Sequence, residues 1–198
     1  MRAFEAADKT NPPPKNAIEF IGSSSIKRWM TLAADFAGHK VFNCGFGGSH
    51  LCDSLAFADR IVIPYQPKLV VLYAGDNDIA SGKSPEQIFA DFKAFVAKVH
   101  AALPGTTIVF LAIKPSPSRA KYVEQARAGN RLIEEFIAGK PKLAYVDVFT
   151  PMLGSDGQPR TELFVSDRLH LNEAGYKLWT DILKPVLDKL DPPASAKR

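Results

Sequence analysis

The chain has 198 residues, of which 46% are hydrophobic and 23% are charged. This composition is typical of a globular protein and excludes a disordered or fibrous chain. The formal charge is +4, and acidic and basic residues are interleaved along the chain. The sequence lacks the basic stripe and exposed aromatic residues of a nucleic-acid-binding protein. No apolar run approaches the roughly 18 residues of a membrane span, so the sequence predicts neither nucleic-acid binding nor a transmembrane segment.

The length favours a single domain, which we place at residues 17–190. Residues 1–16 are expected to form a polar, proline-rich lead-in, and residues 191–198 a flexible tail. The first residues contain no apolar segment of the kind that signal peptides need. The sequence as it begins therefore predicts a cytoplasmic protein, whereas a signal ahead of Met1 would predict a periplasmic or secreted one.

Short apolar runs alternate with longer stretches of helical periodicity. The three central runs contain almost no polar residue, as expected for parallel strands that are covered on both faces. The five predicted strands cover residues 17–22, 40–44, 68–74, 107–112 and 143–148.

Three long helices are predicted between and after these strands. Residues 84–87 (Ser-Pro-Glu-Gln) combine an N-cap serine, a proline at the first helical position and a capping-box glutamine, and the helix ends at Gly105. The second helix covers residues 122–139, and the third covers residues 172–190, where Pro185 is expected to bend it. The pattern predicts an α/β protein, a three-layer α/β/α sandwich around a mostly parallel five-stranded sheet that binds ligands at the carboxyl ends of its strands.

The first of four polar segments at these strand ends is Gly22 followed by three serines. A serine at the start of a helix has its backbone N–H directed outwards, which suits an anion or a nucleophile beside an oxyanion. Plain N-capping is the alternative. The segment is not the Gly-x-Ser-x-Gly elbow of α/β-hydrolases, because Ile26 replaces the second glycine.

The second and third segments follow the next two strands. Residues 43–49 contain three glycines, but His50 occupies the place of the third glycine of a dinucleotide fingerprint. Residues 75–78 (Gly-Asp-Asn-Asp) place polar groups after an apolar strand. A calcium loop is excluded because Ala80 fills a ligand position and Ser81 replaces the turn glycine, so a plain turn remains the alternative.

The fourth segment contains Asp167 and His170, three positions apart. At this spacing the carboxylate can accept a hydrogen bond from one imidazole nitrogen and leave the other nitrogen free as a base.

The remaining histidines and the cysteines predict no metal. His39, His50 and His100 have no companions at ligand spacing, and we interpret them as surface or core residues. Cys44 and Cys52 are too few for a disulfide framework or a zinc site, and they are interpreted as two thiols or one local disulfide.

Together the four segments supply a hydroxyl nucleophile, a glycine-loop N–H, an amide donor and a base with its orienting acid. On these motifs, residues 17–190 resemble the SGNH hydrolases, the GDSL-like esterase and lipase superfamily. The resemblance implies a flavodoxin-like SGNH hydrolase fold. It also implies a catalytic triad of Ser24, Asp167 and His170. The implied oxyanion hole consists of Ser24, Gly48 and Asn77.

The same resemblance implies a serine esterase that hydrolyses short-chain acyl esters through an acyl-enzyme and needs no cofactor. Its substrate would be a small-molecule ester of a sugar, a lipid or a simple alcohol. One position departs from the family pattern, because Ser23 replaces the aspartate of Gly-Asp-Ser-Leu. Ser23 and Ser25 remain rival nucleophiles to Ser24.

Three further residues are candidates for substrate binding, namely Ser23, Lys114 and Arg119. The two basic residues lie at the ends of a proline-containing loop after the fourth strand, where they would face an anionic leaving group. A proline-stiffened structural loop is the alternative.

Two other classes of function are compatible with these residues. One is a catalytically inactive carbohydrate- or lipid-binding module of the same fold, since Ser23 is atypical for the family. The other is a nucleotide-binding or phosphoryl-transfer protein, although the P-loop lysine motif is missing. Ester hydrolysis above background would separate the esterase from both.

Overall fold

Five parallel strands in the order β2-β1-β3-β4-β5 form the central sheet. The structure is a computed structural model that describes residues 1–192, so most of the predicted tail, residues 193–198, lies outside the described part. All five predicted strands are present, with ends that differ by at most two residues. The strands are β1 (Ile18–Gly22), β2 (Val41–Gly45), β3 (Leu69–Tyr73), β4 (Thr107–Leu111) and β5 (Leu143–Val146).

Helices connect the strands and cover the sheet. Within residues 1–192, no helix is both long and apolar enough to cross a bilayer. The helices are α1 (Arg2–Asp8), α2 (Ser24–Lys27), α3 (Leu32–Asp35), α4 (Leu51–Ile61), α5 (Asp76–Ala80), α6 (Pro85–Ala102), α7 (Val123–Ile137) and α8 (Glu173–Leu190).

The three predicted long helices correspond to α6, α7 and α8. The capping box of α6 is present, since the Gln87 backbone N–H donates to Ser84 Oγ at 3.3 Å and the Ser84 N–H donates to Gln87 Oε1 at 2.8 Å. Asn172 caps α8 by accepting from the Gly175 N–H at 3.0 Å. Pro185 lies inside α8, and the helix continues to Leu190.

Aromatic residues fill the layers on both faces of the sheet. Tyr73 packs against Trp179 of α8 with ring centroids 4.9 Å apart, and Phe110 packs against Phe92 of α6 at 5.1 Å. Leu72 and Phe110 are register partners, so Tyr73 and Phe110 point to opposite faces. Helices therefore cover both faces, which confirms the predicted three-layer α/β fold.

The strand order also brings the polar segments together. Strand β1 lies between β2 and β3, and all strands run in the same direction, so their carboxyl ends meet at one edge. The serine turn after β1, the glycine loop after β2 and the Asp-Asn-Asp turn after β3 are therefore neighbours.

Candidate active site

A sharp turn at Gly22 directs Ser24 out of the sheet. Gly22 has a φ of +132°, and a Cβ at this position would lie 1.8 Å from the Tyr73 carbonyl oxygen. The Ser23 N–H donates to that same oxygen at 3.0 Å, and the Phe46 N–H donates to the Gly22 carbonyl at 2.8 Å. The turn is thus held by both neighbouring strands, and it needs a residue without a side chain.

The end of β2 holds the short helix that begins at Ser24. Asn43 Nδ2 donates to the Ile26 carbonyl at 2.7 Å, while its Oδ1 accepts from the Gly45 N–H at 2.8 Å. A Cβ on Gly45 would lie 2.2 Å from the Lys27 backbone nitrogen, and a Cβ on Gly47 would lie 3.9 Å from Ser24 Cβ. The glycine loop therefore runs directly beside Ser24.

Ser24, His170 and Asp167 form a continuous hydrogen-bonded chain. His170 Nε2 lies 2.9 Å from Ser24 Oγ, and His170 Nδ1 lies 2.6 Å from Asp167 Oδ2. Asp167 Oδ1 accepts from the backbone N–H groups of Leu169 and His170, each at 2.9 Å. The His170 N–H, followed by its imidazole, holds the pKa of Asp167 well below its ordinary value. An ionised carboxylate on Nδ1 keeps the proton there and leaves Nε2 as the acceptor for the serine proton.

The rival serines point elsewhere. Ser23 and Ser25 are 1% exposed, and within residues 1–192 their hydroxyls have no hydrogen-bond partner. Ser24 is the residue of the three whose hydroxyl is in contact with the imidazole.

Gly48 and Asn77 lie on the two segments next to the serine turn. Gly48 has a φ of +74°, in the left-handed region that favours glycine. Asn77 Nδ2 donates to the Ser49 carbonyl at 3.0 Å, and its Oδ1 accepts from Arg119 Nη2 at 2.9 Å. The Ser49 carbonyl takes one of the two Nδ2 hydrogens, and the second makes no hydrogen bond within residues 1–192.

Lys114 and Arg119 converge on Asp76 beneath this site. Lys114 Nζ lies 2.8 Å from Asp76 Oδ2, and Arg119 Nη1 lies 3.2 Å from the same oxygen. Burial opposes ionisation of Asp76, but the two cations, Lys114 foremost, lower its pKa below the ordinary value. The Lys114 side chain is only 1% exposed, so its placement differs from the predicted substrate contact. Ser23 is enclosed in the same way.

The structure corrects the expectation that His50 has no other possible metal ligands near it. His50, Cys52 and Asp78 each offer one ligand atom, and these atoms lie within 4.8 Å of one another. Lys83 Nζ, however, donates to Cys52 Sγ at 3.1 Å and to Asp78 Oδ1 at 3.0 Å. The Lys83 ammonium already occupies the position that a metal cation would take. A divalent ion would therefore have to displace Lys83.

The two other histidines contact protein groups outside the candidate site, and the two cysteines are not bonded to each other. His39 Nε2 lies 2.7 Å from Asp188 Oδ1, and His100 Nε2 lies 3.0 Å from the Thr106 carbonyl oxygen. Cys44 is buried, Cys52 is half-buried, and both are free thiols.

A serine, a histidine and an aspartate thus form a hydrogen-bonded chain at the carboxyl edge of a parallel sheet, an arrangement that many hydrolases use. The sequence profile of the GDSL-like Lipase/Acylhydrolase family matches residues 21–178. The chain belongs to this family of hydrolases.

The chain is also similar to individual proteins in sequence or in fold. The platelet-activating factor acetylhydrolase IB subunit alpha1 of Homo sapiens is 27% identical over 179 residues, which cover 86% of this chain and 74% of that protein. A GDSL-like lipase from Bacteroides thetaiotaomicron VPI-5482 superposes with a TM-score of 0.77 at 20% identity, covering 95% of this chain and 97% of that one. The lipase/acylhydrolase from Enterococcus faecalis has a TM-score of 0.71 at 15% identity, with 89% and 97% covered. The two solved structures share the fold.

Proposed function

We propose that the protein is a serine esterase that hydrolyses short-chain acyl esters through a covalent acyl-enzyme. The observation that carries the proposal is the contact chain from Ser24 Oγ through His170 to Asp167, at 2.9 and 2.6 Å. These distances fit proton transfer along a nucleophile, a base and an orienting acid.

In the first half of the reaction, His170 Nε2 takes the proton of Ser24 as Oγ attacks the ester carbonyl carbon. The tetrahedral intermediate collapses when the imidazolium gives this proton to the departing alcohol, which leaves the acyl group on Ser24. In the second half, His170 takes a proton from water, and the hydroxide attacks the acyl-enzyme. Return of the proton to Ser24 Oγ releases the carboxylic acid, and Asp167 stabilises the imidazolium in both halves.

The oxyanion hole would consist of the backbone N–H groups of Ser24 and Gly48 and the free Nδ2 hydrogen of Asn77. Their three segments follow β1, β2 and β3, which are adjacent in the sheet. One donor of this kind stabilises a tetrahedral oxyanion by about 3 kcal/mol.

Two observations support a short acyl group. The side chain of Asp167 is 42% exposed, so the triad is open to solvent on the side of this carboxylate, which fits a small ester. The relative with 27% identity carries the name of an acetylhydrolase, and acetyl is the acyl group that we propose for this chain too.

Hydrolysis of p-nitrophenyl esters from C2 to C12 tests the proposal, with wild type, Ser24→Ala and Ser25→Ala compared after a circular-dichroism check of folding. Ser25→Ala is the matched control, because this neighbouring serine is buried and the hydroxyl in contact with His170 is that of Ser24. We expect turnover of the short esters, a loss of about 10⁴-fold or more in kcat for Ser24→Ala, and near-wild-type activity for Ser25→Ala. Folded wild type that is inactive on every ester would favour the binding module instead. An active Ser24→Ala would show that the wrong serine had been assigned.

A further inference from the structure

We infer that Arg119, held by Asp76, is a positioning residue that orients and polarises the side-chain amide of Asn77. The inference rests on the proposed esterase function, in which Asn77 donates to the oxyanion. It gives Arg119 a role different from the substrate contact that its position in the sequence predicted.

Two hydrogen bonds define which way the Asn77 amide faces. The Arg119 guanidinium can only donate, so it must face Oδ1, which it does at 2.9 Å. The Ser49 carbonyl can only accept, so it must face Nδ2, which it does at 3.0 Å. A flipped amide would set donor against donor and acceptor against acceptor. The free Nδ2 hydrogen therefore has one direction available.

Arg119 is itself held at several points. Its Nη1 lies 3.2 Å from Asp76 Oδ2, an ion pair without hydrogen-bond geometry, and its backbone N–H donates to the Ser116 carbonyl at 3.0 Å. The Arg119 side chain is 20% exposed and that of Asp76 is 8% exposed. Nη2 donates to Asn77 while Nη1 faces Asp76, and a lysine ammonium cannot place two nitrogens in this way.

The net charge of Asp76, Lys114 and Arg119 also favours hydrogen-bond donation by Asn77 to an oxyanion. Asp76 brings one negative charge, and Lys114 and Arg119 bring two positive charges, so the cluster carries a net positive charge beside Asn77. A guanidinium on Oδ1 draws electron density from the amide and makes Nδ2–H a stronger donor. Both effects favour a negative charge that develops at the oxyanion.

A double-mutant cycle tests whether Arg119 acts through Asn77. We expect Arg119→Met to lower kcat on p-nitrophenyl acetate by about 10- to 100-fold, within the range of one lost oxyanion donor, with KM changed less than about twofold. Arg119→Lys should recover only part of this loss, since the charge returns without the second nitrogen. In the Asn77→Ala background, Arg119→Met should change kcat by less than about twofold. Additive losses in the two backgrounds would overturn the inference.

The matched control is Arg131→Met, which removes an exposed arginine of α7 whose side chain is 77% exposed. We expect it to leave kcat, KM and the melting temperature unchanged.

A second readout does not depend on turnover. The side-chain ¹⁵NH₂ signals of Asn77, assigned by their loss in Asn77→Ala, should shift and exchange faster with water in Arg119→Met and stay in place in Arg131→Met. Unmoved signals in folded Arg119→Met would overturn the positioning role even if kcat fell. Shifted signals in a protein whose wild type cleaves no ester would instead show that the proposed function fails and that the orientation of Asn77 by Arg119 stands.

Discussion

Asp78 accepts the backbone N–H of Leu51 with both carboxylate oxygens, each at 3.1 Å. Leu51 is the first residue of α4, and it follows the glycine loop that contains Gly48. The fully buried carboxylate therefore ties the turn that carries Asn77 to the loop that carries Gly48. Lys83 neutralises the charge at 3.0 Å.

We predict that Asp78→Ala destabilises the fold by about 1 to 3 kcal/mol, because the buried Leu51 N–H loses its acceptor, while Lys83 keeps its pair with Asp91. Urea unfolding at pH 7 measures this loss. Asp181→Ala serves as the control, since its pair with Lys177 is exposed on both sides and contributes less than about 1 kcal/mol. Equal effects of the two substitutions would show that Asp78 is not a structural anchor.

Gly45→Ala should move the helix that carries Ser24. The new Cβ would lie 2.2 Å from the Lys27 backbone nitrogen, and a backbone atom cannot give way without displacing α2. We expect a loss of about 2 kcal/mol or more in stability and a fall in kcat.

The control for this prediction is Gly105→Ala, because a Cβ at Gly105 meets nothing within 4 Å. Thermal melting and p-nitrophenyl acetate hydrolysis compare the two variants. A Gly45→Ala protein as stable and as active as Gly105→Ala would contradict the close approach of α2 to β2.

Glu19 should make the fold more stable at acidic than at neutral pH. It is fully buried on β1, and burial raises its pKa well above the ordinary 4.5, which the neighbouring Cys44 thiol opposes only in part. Above pH 4.5 the unfolded chain loses this proton while the folded chain keeps it. Stability contributed by the protonated carboxyl is therefore complete below pH 4.5 and falls as the pH rises, by about 1.4 kcal/mol per pH unit up to the folded-state pKa.

Glu19→Gln removes this titration and keeps the shape of the side chain. We expect the variant to gain stability relative to wild type between pH 5 and pH 8, as measured by urea unfolding at each pH. Glu135→Gln, at a position that is 62% exposed, should show no such trend. A difference between wild type and Glu19→Gln that does not change with pH would refute an uncharged buried Glu19.

Asp167→Asn should lower kcat by about 10³- to 10⁴-fold, because an amide no longer selects the imidazole tautomer with its proton on Nδ1. The lowered pKa of Asp167 also means that this carboxylate stays ionised well into the acidic range. The wild-type profile of kcat/KM between about pH 5 and pH 9 should therefore show no step from Asp167. Steady-state kinetics checks both points, and a wild-type rate in Asp167→Asn would remove Asp167 from the mechanism.

Much of the architecture is determined by patterns that the sequence carries locally. The apolar runs of β3 and β4 and the capping box at Ser84 define strands and helices through interactions within a few residues. Helix α1 was not predicted, because its seven residues are too few to form a stable helix alone. It is anchored from afar, by Asp8 on the Tyr65 hydroxyl and Glu5 on Arg60, at 2.6 Å each.

Part of the candidate site could likewise be predicted from the sequence, and part could not. The sequence by itself proposed Ser24, because it follows a strand whose end lies at the ligand edge of a parallel sheet. It proposed Asp167 and His170 because they stand three positions apart ahead of the last helix. Only the tertiary structure decided that Ser24 and not Ser25 contacts the imidazole, and that Arg119 contacts Asn77. Such contacts join residues far apart in the chain, and their geometry depends on packing that no local pattern encodes.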